Sequence, residues 1–271
     1  MNCKNCNNEL STNSNFCNSC GAKVIRNRLT LKNIFEHISE TFFNYDNKLL
    51  RTFIDLFKKP EKVIDSYING VRKRYVNPIS YFGLAITLTG LYLVITNKFY
   101  PETLDYSAFT AKGQEEFQKR LMNLTQEYMS IMMMLYIPVY ALIARITFVG
   151  LHKLNYTELI VVFLYWQSQL SIISSVSIII TAIFGIKTST VSMIYMPLMF
   201  LYAAYILKRL YQLSFGQIVL RTLLFLIILG VVFIIIVMIG VIIAFITGDM
   251  QQMIEAQKAA KEVAVVFINE S

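Results

Sequence analysis

The sequence predicts an all-α polytopic membrane protein of about five transmembrane helices, behind a short four-cysteine head. Three observations predict it. Hydrophobic residues make up 55% of the 271 and charged residues only 15%, against about 25% charged in ordinary soluble domains. Beyond residue 78 the chain is mostly apolar runs, several near the ~20 residues that cross a bilayer. The first 78 residues hold 13 of the 25 Lys and Arg, and all four cysteines lie within the first 20. The net charge of +8 would suggest nucleic acid in a soluble protein. Beside apolar spans the same charge orients the chain and touches anionic lipid, so no nucleic-acid partner is expected. The polar N-terminus lacks an apolar signal region, and insertion is expected to use the first internal span.

The head comes first. Cys3-x-x-Cys6 and Cys17-x-x-Cys20 are two pairs that can place four thiolates around one tetrahedral Zn²⁺. Gly21 follows the second pair, where a knuckle needs positive φ, and Asn7, the next most tolerant residue, follows the first. With Phe16 before the second pair, residues 2–24 resemble the short zinc ribbon at the front of many bacterial proteins. Two disulfides would need an oxidising compartment, and a thioredoxin-like site would need a βαβ context that is missing. Cys3, Cys6, Cys17 and Cys20 are therefore the expected ligands of a structural zinc in a 1–24 domain. Four protein ligands leave no open position for catalysis.

Residues 25–78 are amphipathic. Leu31, Ile34, Phe35, Ile38 and Phe42 fall on one helical face, and Leu49, Leu50, Phe53, Ile54 and Phe57 on a second, with Asp46 as its candidate N-cap. Pro60 suits the first turn of a third short helix carrying Val63, Ile64, Tyr67 and Ile68, which Gly70 can end in left-handed geometry. Lys58, Lys59, Lys62, Arg72, Lys73 and Arg74 flank these faces, as on an interfacial helix. A helical unit packed on the cytoplasmic ends of the spans fits the pattern as well. Arg72, Lys73 and Arg74 are expected at the headgroups, with Tyr75 and Tyr81 in the interfacial aromatic belt.

The runs at residues 52–60 (TFIDLFKKP) and 67–81 (YINGVRKRYVNPISY) resemble a family of uncharacterised bacterial membrane proteins known from the Bacteroidota. That family pairs a front zinc ribbon with this signature and several spans. The resemblance implies a bacterial membrane and no activity.

The spans follow in order at 79–96, 128–149 (containing Pro138), 159–184, 191–207 and the long 218–246, giving a membrane domain over 79–248 and a tail over 249–271. Basic residues crowd the segment before the first span and the turns after the second and fourth. The 97–127 loop carries four basic against five acidic residues, and the tail two against four. The positive-inside rule then puts the N-terminus in the cytoplasm, in a bacterial inner membrane, and the C-terminal tail outside. Reduced cysteines on the inner side agree.

Ionisable groups at membrane depth are few: Arg145, Glu158 and Arg221 fall near predicted cytoplasmic ends, where they can snorkel or pair. The third span is the most polar. Gln167, Ser171, Ser174 and Thr181 fall near one face, and Gln169, Ser175 and Ser177 add to the polarity of the span. These residues fit close helix packing, or a polar path for a small solute or lipid. His37 and His152 make no visible site, and no nucleophile–base order or phosphate loop is present, so an enzyme is not expected. The expectation is a non-enzymatic membrane protein whose zinc ribbon engages a cytoplasmic protein. A small-solute or lipid transporter is the alternative. Five spans do not halve into repeats, so a transporter would regain symmetry only as a homo-oligomer.

Overall fold

The structure is a computed structural model that describes residues 1–22, 24, 30, 48–104, 123–151 and 153–246, excepting the side chains of 243 and 244. The predicted helix over 31–42, the Asp46 cap, most of the loop between the first two spans and the tail over 249–271 lie outside the described residues. The chain divides into one unit through Lys48 and another from Leu49 onward. No strand occurs among the described residues, and the head holds one antiparallel bridge between Asn2 and Glu9.

The second unit is helical: α1 (Lys48–Lys58), α2 (Pro60–Ile68), α3 (Pro78–Phe99), α4 (Met129–Thr147), α5 (Tyr156–Ile183), α6 (Thr188–Tyr211) and α7 (Phe215–Ile246). Among the described residues five helices, α3 to α7, are long and apolar enough to cross a membrane. They fall where the five apolar runs predict them, so this is an integral membrane protein. The fourth span is longer than its apolar run because α6 extends a full turn at the basic end, through Lys208 and Arg209.

Local chemistry fixes the ends. Pro60 and Pro78 each open a helix, where a missing N–H costs nothing. Asn77 caps α3 by accepting from the Ser80 N–H at 2.8 Å. Gly70, at φ 85°, closes α2 with the paired bonds of a Schellman motif, Val71 N–H to Ser66 O at 2.8 Å and Gly70 N–H to Tyr67 O at 3.2 Å. Asn155 and Glu158 form a reciprocal capping box at the start of α5.

Helix α5 is the centre of the bundle. It packs against α3, α4 and α6, while α7 lies against α4 and α6. Half of α5's membrane-crossing stretch is buried, against 6% for α7. Trp166, Tyr140 and Phe163 pack edge-on and tilted, with ring centroids 5.4–5.9 Å apart, within the favourable range for aromatic pairs. Phe163 stacks in turn on Phe225 of α7 at 6.3 Å.

Helices α3 and α5 run parallel with a near-constant offset. Tyr81 bonds Gln169, Thr89 bonds Ser175, and Tyr165 bonds the Val76 carbonyl, at separations of 88, 86 and 89 residues. The start of α3 is therefore level with Tyr165 and Trp166. The first ten residues of α5 reach about 15 Å further, at 1.5 Å per residue. Helices α1 and α2 fill that step, with α2 packed on α5 and α6. The amphipathic pair is thus docked on the span ends. Thr52, Leu56, Val63 and Ile64 are fully buried. The opposite face of α1 leaves Leu50, Ile54 and Phe57 exposed.

Candidate metal centre

The two cysteine knuckles have the same backbone. Cys3 N–H donates to Asn8 O at 2.9 Å and Asn7 N–H to Cys3 O at 2.8 Å. Cys17 N–H donates to Ala22 O at 2.8 Å and Gly21 N–H to Cys17 O at 2.9 Å. The tight turns require positive φ at the residue after each pair, and Asn7 has 57° and Gly21 70°. An Asn8–Ser19 side-chain bond ties one knuckle to the other. Leu10, with Ala22 and Val24, packs beside the buried Cys3 and Cys17 and makes a very small core. Phe16 is more than half exposed.

All four sulfurs lie within 4.8 Å of one another, and none is in a disulfide. Sγ–Sγ distances are 3.7 Å for Cys3–Cys20 and 3.6 Å for Cys6–Cys17. A tetrahedron of sulfurs about 2.3 Å from a central ion has edges of about 3.8 Å. A disulfide would need about 2.05 Å. The group fits a tetrahedral metal ion.

Hydrogen bonds bias the thiols toward charge. The Asn5 side chain and the Ala22 N–H lower Cys20 to about 6, and the N–H groups of Asn5 and Cys6 lower Cys3. Cys6 goes the other way. The Asn8 N–H lowers it, but hydrogen bonds with Cys20, Cys17 and Cys3, together with burial, push it up to about 12. Four thiols this close cannot all ionise unless a cation joins them, so loading a metal releases protons.

In the membrane unit, Arg72, Lys73 and Arg74 are exposed, with Arg72 over the Tyr67 ring at 5.4 Å and Arg74 over Tyr75 at 5.5 Å. Tyr75 and Tyr81 depart from the expected surface belt. Tyr75 is 5% exposed and donates to Asp55 Oδ2 at 2.8 Å. Tyr81 is fully buried and donates to Gln169 Oε1 at 2.5 Å. The physical reason is protein cover: α1 reaches Tyr75 through Asp55, and Tyr81 faces α5, with the Tyr165 ring 6.2 Å from its own.

Gln169 is the residue at the centre of that contact. Its Nε2 donates to the Phe53 carbonyl of α1 at 3.0 Å, so one amide bridges α3, α5 and α1. Around it the Val76 N–H donates to Thr52 Oγ1 at 3.0 Å, and Tyr165 donates to Val76 O at 2.7 Å. Tyr202 and Tyr205 of α6 donate to the Leu56 and Phe57 carbonyls at 3.1 and 2.9 Å. Glu61 and Arg209 form a two-bond ion pair at 2.7 and 3.1 Å. The sequence signal was a glutamine deep in an apolar span.

The third-span residues Gln167, Ser171, Ser174 and Thr181 mostly bond within α5. Gln167 Nε2 meets Ser171 Oγ at 3.2 Å, Ser174 bonds the Ser171 carbonyl at 3.2 Å, and Thr181 the Ser177 carbonyl at 2.9 Å. Ser175 and Ser177 instead reach Thr89 and Tyr195 on neighbouring helices. Arg145 and Arg221 bond backbone carbonyls, Leu154 O at 2.8 Å and Thr147 O at 2.6 Å. Among the described residues, no buried side-chain nitrogen or oxygen lacks a partner.

The model of a family described as a protein of unknown function (DUF3667) matches residues 46–90. No curated protein and no solved structure matches the chain. The matched stretch covers α1, α2, the crossing segment and the first half of α3.

Proposed function

We propose that this is a non-enzymatic protein of a bacterial inner membrane whose N-terminal head holds a structural Zn²⁺ and serves as a docking module for a cytoplasmic protein. Cys3, Cys6, Cys17 and Cys20 would hold the metal. The observation that carries the reading is their spacing, which completes a tetrahedron and leaves no open position for substrate or water. Zinc supplies the folding energy that so few residues cannot gain by burial. The basic segment before α3 favours an inside N-terminus and contact with anionic lipid. A solute or lipid path along α5 has weaker support, because the hydroxyls of Ser174 and Thr181 are turned back onto their own helix.

The test is a pair of measurements on the full chain. Elemental analysis should find about one zinc per chain, as the single four-ligand site requires. Proteins crosslinked in intact cells should include at least one that disappears with Cys17→Ser/Cys20→Ser while the membrane unit stays folded. Purified chain with far less than one zinc, or a crosslinked set indifferent to the double substitution, overturns the reading.

A further inference from the structure

One cleft lies apart from the metal centre and the docked α1–α2 pair. It is a shallow groove between α6 and α7, open to the surroundings, with an inner volume of only about 20 Å³. Phe163 of α5 and Phe148, just past α4, form its floor. Ala203 and Ala204 leave the room on the α6 side, and Phe225 and Thr222 stand opposite on α7. The Thr222 hydroxyl is the polar exception in an aromatic and aliphatic wall. A polar metabolite would find few partners there, whereas an acyl chain needs none. Because α6 and α7 cross the membrane, the cleft faces hydrocarbon, and a gap of this kind costs dispersion contacts until a chain fills it.

Its basic end is charged. Arg221 precedes Thr222 in the chain, and its guanidinium lies 5.4 Å from the centroid of Phe148, a floor residue. The bond to Thr147 O uses one of five N–H donors. Lys208 extends from the same end of α6, with its ammonium 5.7 Å from the Phe215 ring. Arg145 is exposed nearby, and its charge acts on Tyr211 together with that of Arg221. Among the described residues, none of these three cations is ion-paired within 4.0 Å. Glu158 acts on the same Tyr211, but its carboxylate is engaged with the Asn155 N–H in the capping box.

We propose that this groove is a binding site for an anionic phospholipid, with one acyl chain laid along the half-buried Phe200, Ala203 and Ala204 and the phosphate held by Arg221 and Lys208. The order of groups matches the ligand: cations at the helix ends, then aromatic and small apolar side chains toward the membrane interior. A guanidinium and an ammonium are the usual partners of phosphate oxygens. The proposal rests on the reading that these basic ends face an anionic leaflet, and it assigns that contact to a defined site.

The experiment reconstitutes the full chain into vesicles of equal phosphatidylglycerol and phosphatidylcholine, extracts it in mild detergent, and weighs the retained lipid by native mass spectrometry. The wild type should retain phosphatidylglycerol over phosphatidylcholine. Arg221→Gln/Lys208→Gln should lower that retention about thirtyfold, given the contribution of two basic groups. Arg221→Lys should keep most of it. Ala204→Leu fills the cleft and should release the lipid with the charges intact. If that variant fails to fold, the charge variants decide alone. Equal retention of the two lipids by the wild type, or unchanged phosphatidylglycerol in folded Arg221→Gln/Lys208→Gln, overturns the site. Thiol labelling of the turns reports the leaflet separately, so a reversed orientation with lipid still retained would sink the leaflet reading and leave the site standing.

Discussion

At the scale of single residues, Gly21 and Gln169 carry the most consequence. Gly21 sits at φ 70°, and no atom lies within 4 Å of the place a Cβ would occupy. Gly21→Ala therefore meets strain rather than a clash, about 1–2 kcal/mol for a left-handed residue. Zinc affinity measured against a chelator should fall about fivefold to thirtyfold, and an unchanged affinity would mean that the knuckle geometry does not control the metal. Gln169→Leu removes the acceptor of the Tyr81 hydroxyl and the donor to Phe53 O, leaving the buried hydroxyl without a partner and α1 without its tie to α5. The cost is about 2–4 kcal/mol, read as a lower thermal midpoint in detergent, and Tyr81→Phe in the same chain should recover part of it. A loss under 1 kcal/mol would deny the bridge. The knuckle was legible in sequence because its ligands, spacing and left-handed residues are all local. The bridge was not. Gln167 and Gln169 are two residues apart, about 200° around a helix, so they point to nearly opposite faces. Which face is covered depends on a segment more than 100 residues earlier. Tyr75 and Tyr81 were ambiguous for a related reason, since a tyrosine suits either a wet membrane boundary or a buried site with a partner for its hydroxyl.

At the scale of elements, the amphipathic pair depends on α6 for its termination. The last carbonyls of α1 have no N–H of their own helix to accept from. Those of Leu56, Phe57 and Lys58 accept instead from the hydroxyls of Tyr202 and Tyr205. Tyr202→Phe should cost about 0.5–1.5 kcal/mol, the net worth of such a bond, and should speed proteolysis within residues 48–77. Cleavage no faster than in the wild type would show that the cap does not hold the pair down. The Glu61–Arg209 pair adds a weaker tie. The hydrogen bond from Arg209 holds the Glu61 carboxyl below its ordinary value of 4.5. A depressed acid contributes stability above its unfolded value, and that contribution disappears as pH falls through the lower folded value. With the Arg209 side chain 45% exposed, screening leaves roughly 0–1 kcal/mol. Burial raises the Asp65 carboxyl, which works in the opposite direction as pH falls. Arg209→Gln should therefore lower the stability slightly at pH 7, and its difference from the wild type should fade in melts below about pH 4.5 as Glu61 protonates. Periodicity and the Pro60 and Gly70 signals made both helices legible. Their docking was only one of two readings, because an apolar stripe flanked by lysines suits a bilayer surface and a protein surface equally.

At the scale of the molecule, the five spans were the most legible part, since a bilayer demands about 20 apolar residues and the sequence supplies five such runs. The unequal reach of those spans was not legible, because it depends on the offset between α3 and α5, which long-range hydrogen bonds set. With α3 starting some 15 Å short of α5, the membrane body has a step on its basic side, and α1 and α2 occupy it. Arg145, Lys153, Lys208, Arg209 and Arg221 all belong to helix ends or turns on that side, as do Arg72, Lys73 and Arg74 before α3. The opposite ends offer Lys98 and Lys187 among the described residues. That imbalance predicts the stepped side to be cytoplasmic. A thiol reagent that cannot cross membranes should label Lys187→Cys in intact cells, in a chain whose four native cysteines are replaced by serine. It should label Lys153→Cys only after the cells are opened. The opposite pattern would invert the molecule and move the basic segment and α1 to the outer face. Labelling of both positions in intact cells would mean that α5 does not cross the membrane, because these residues flank that helix alone.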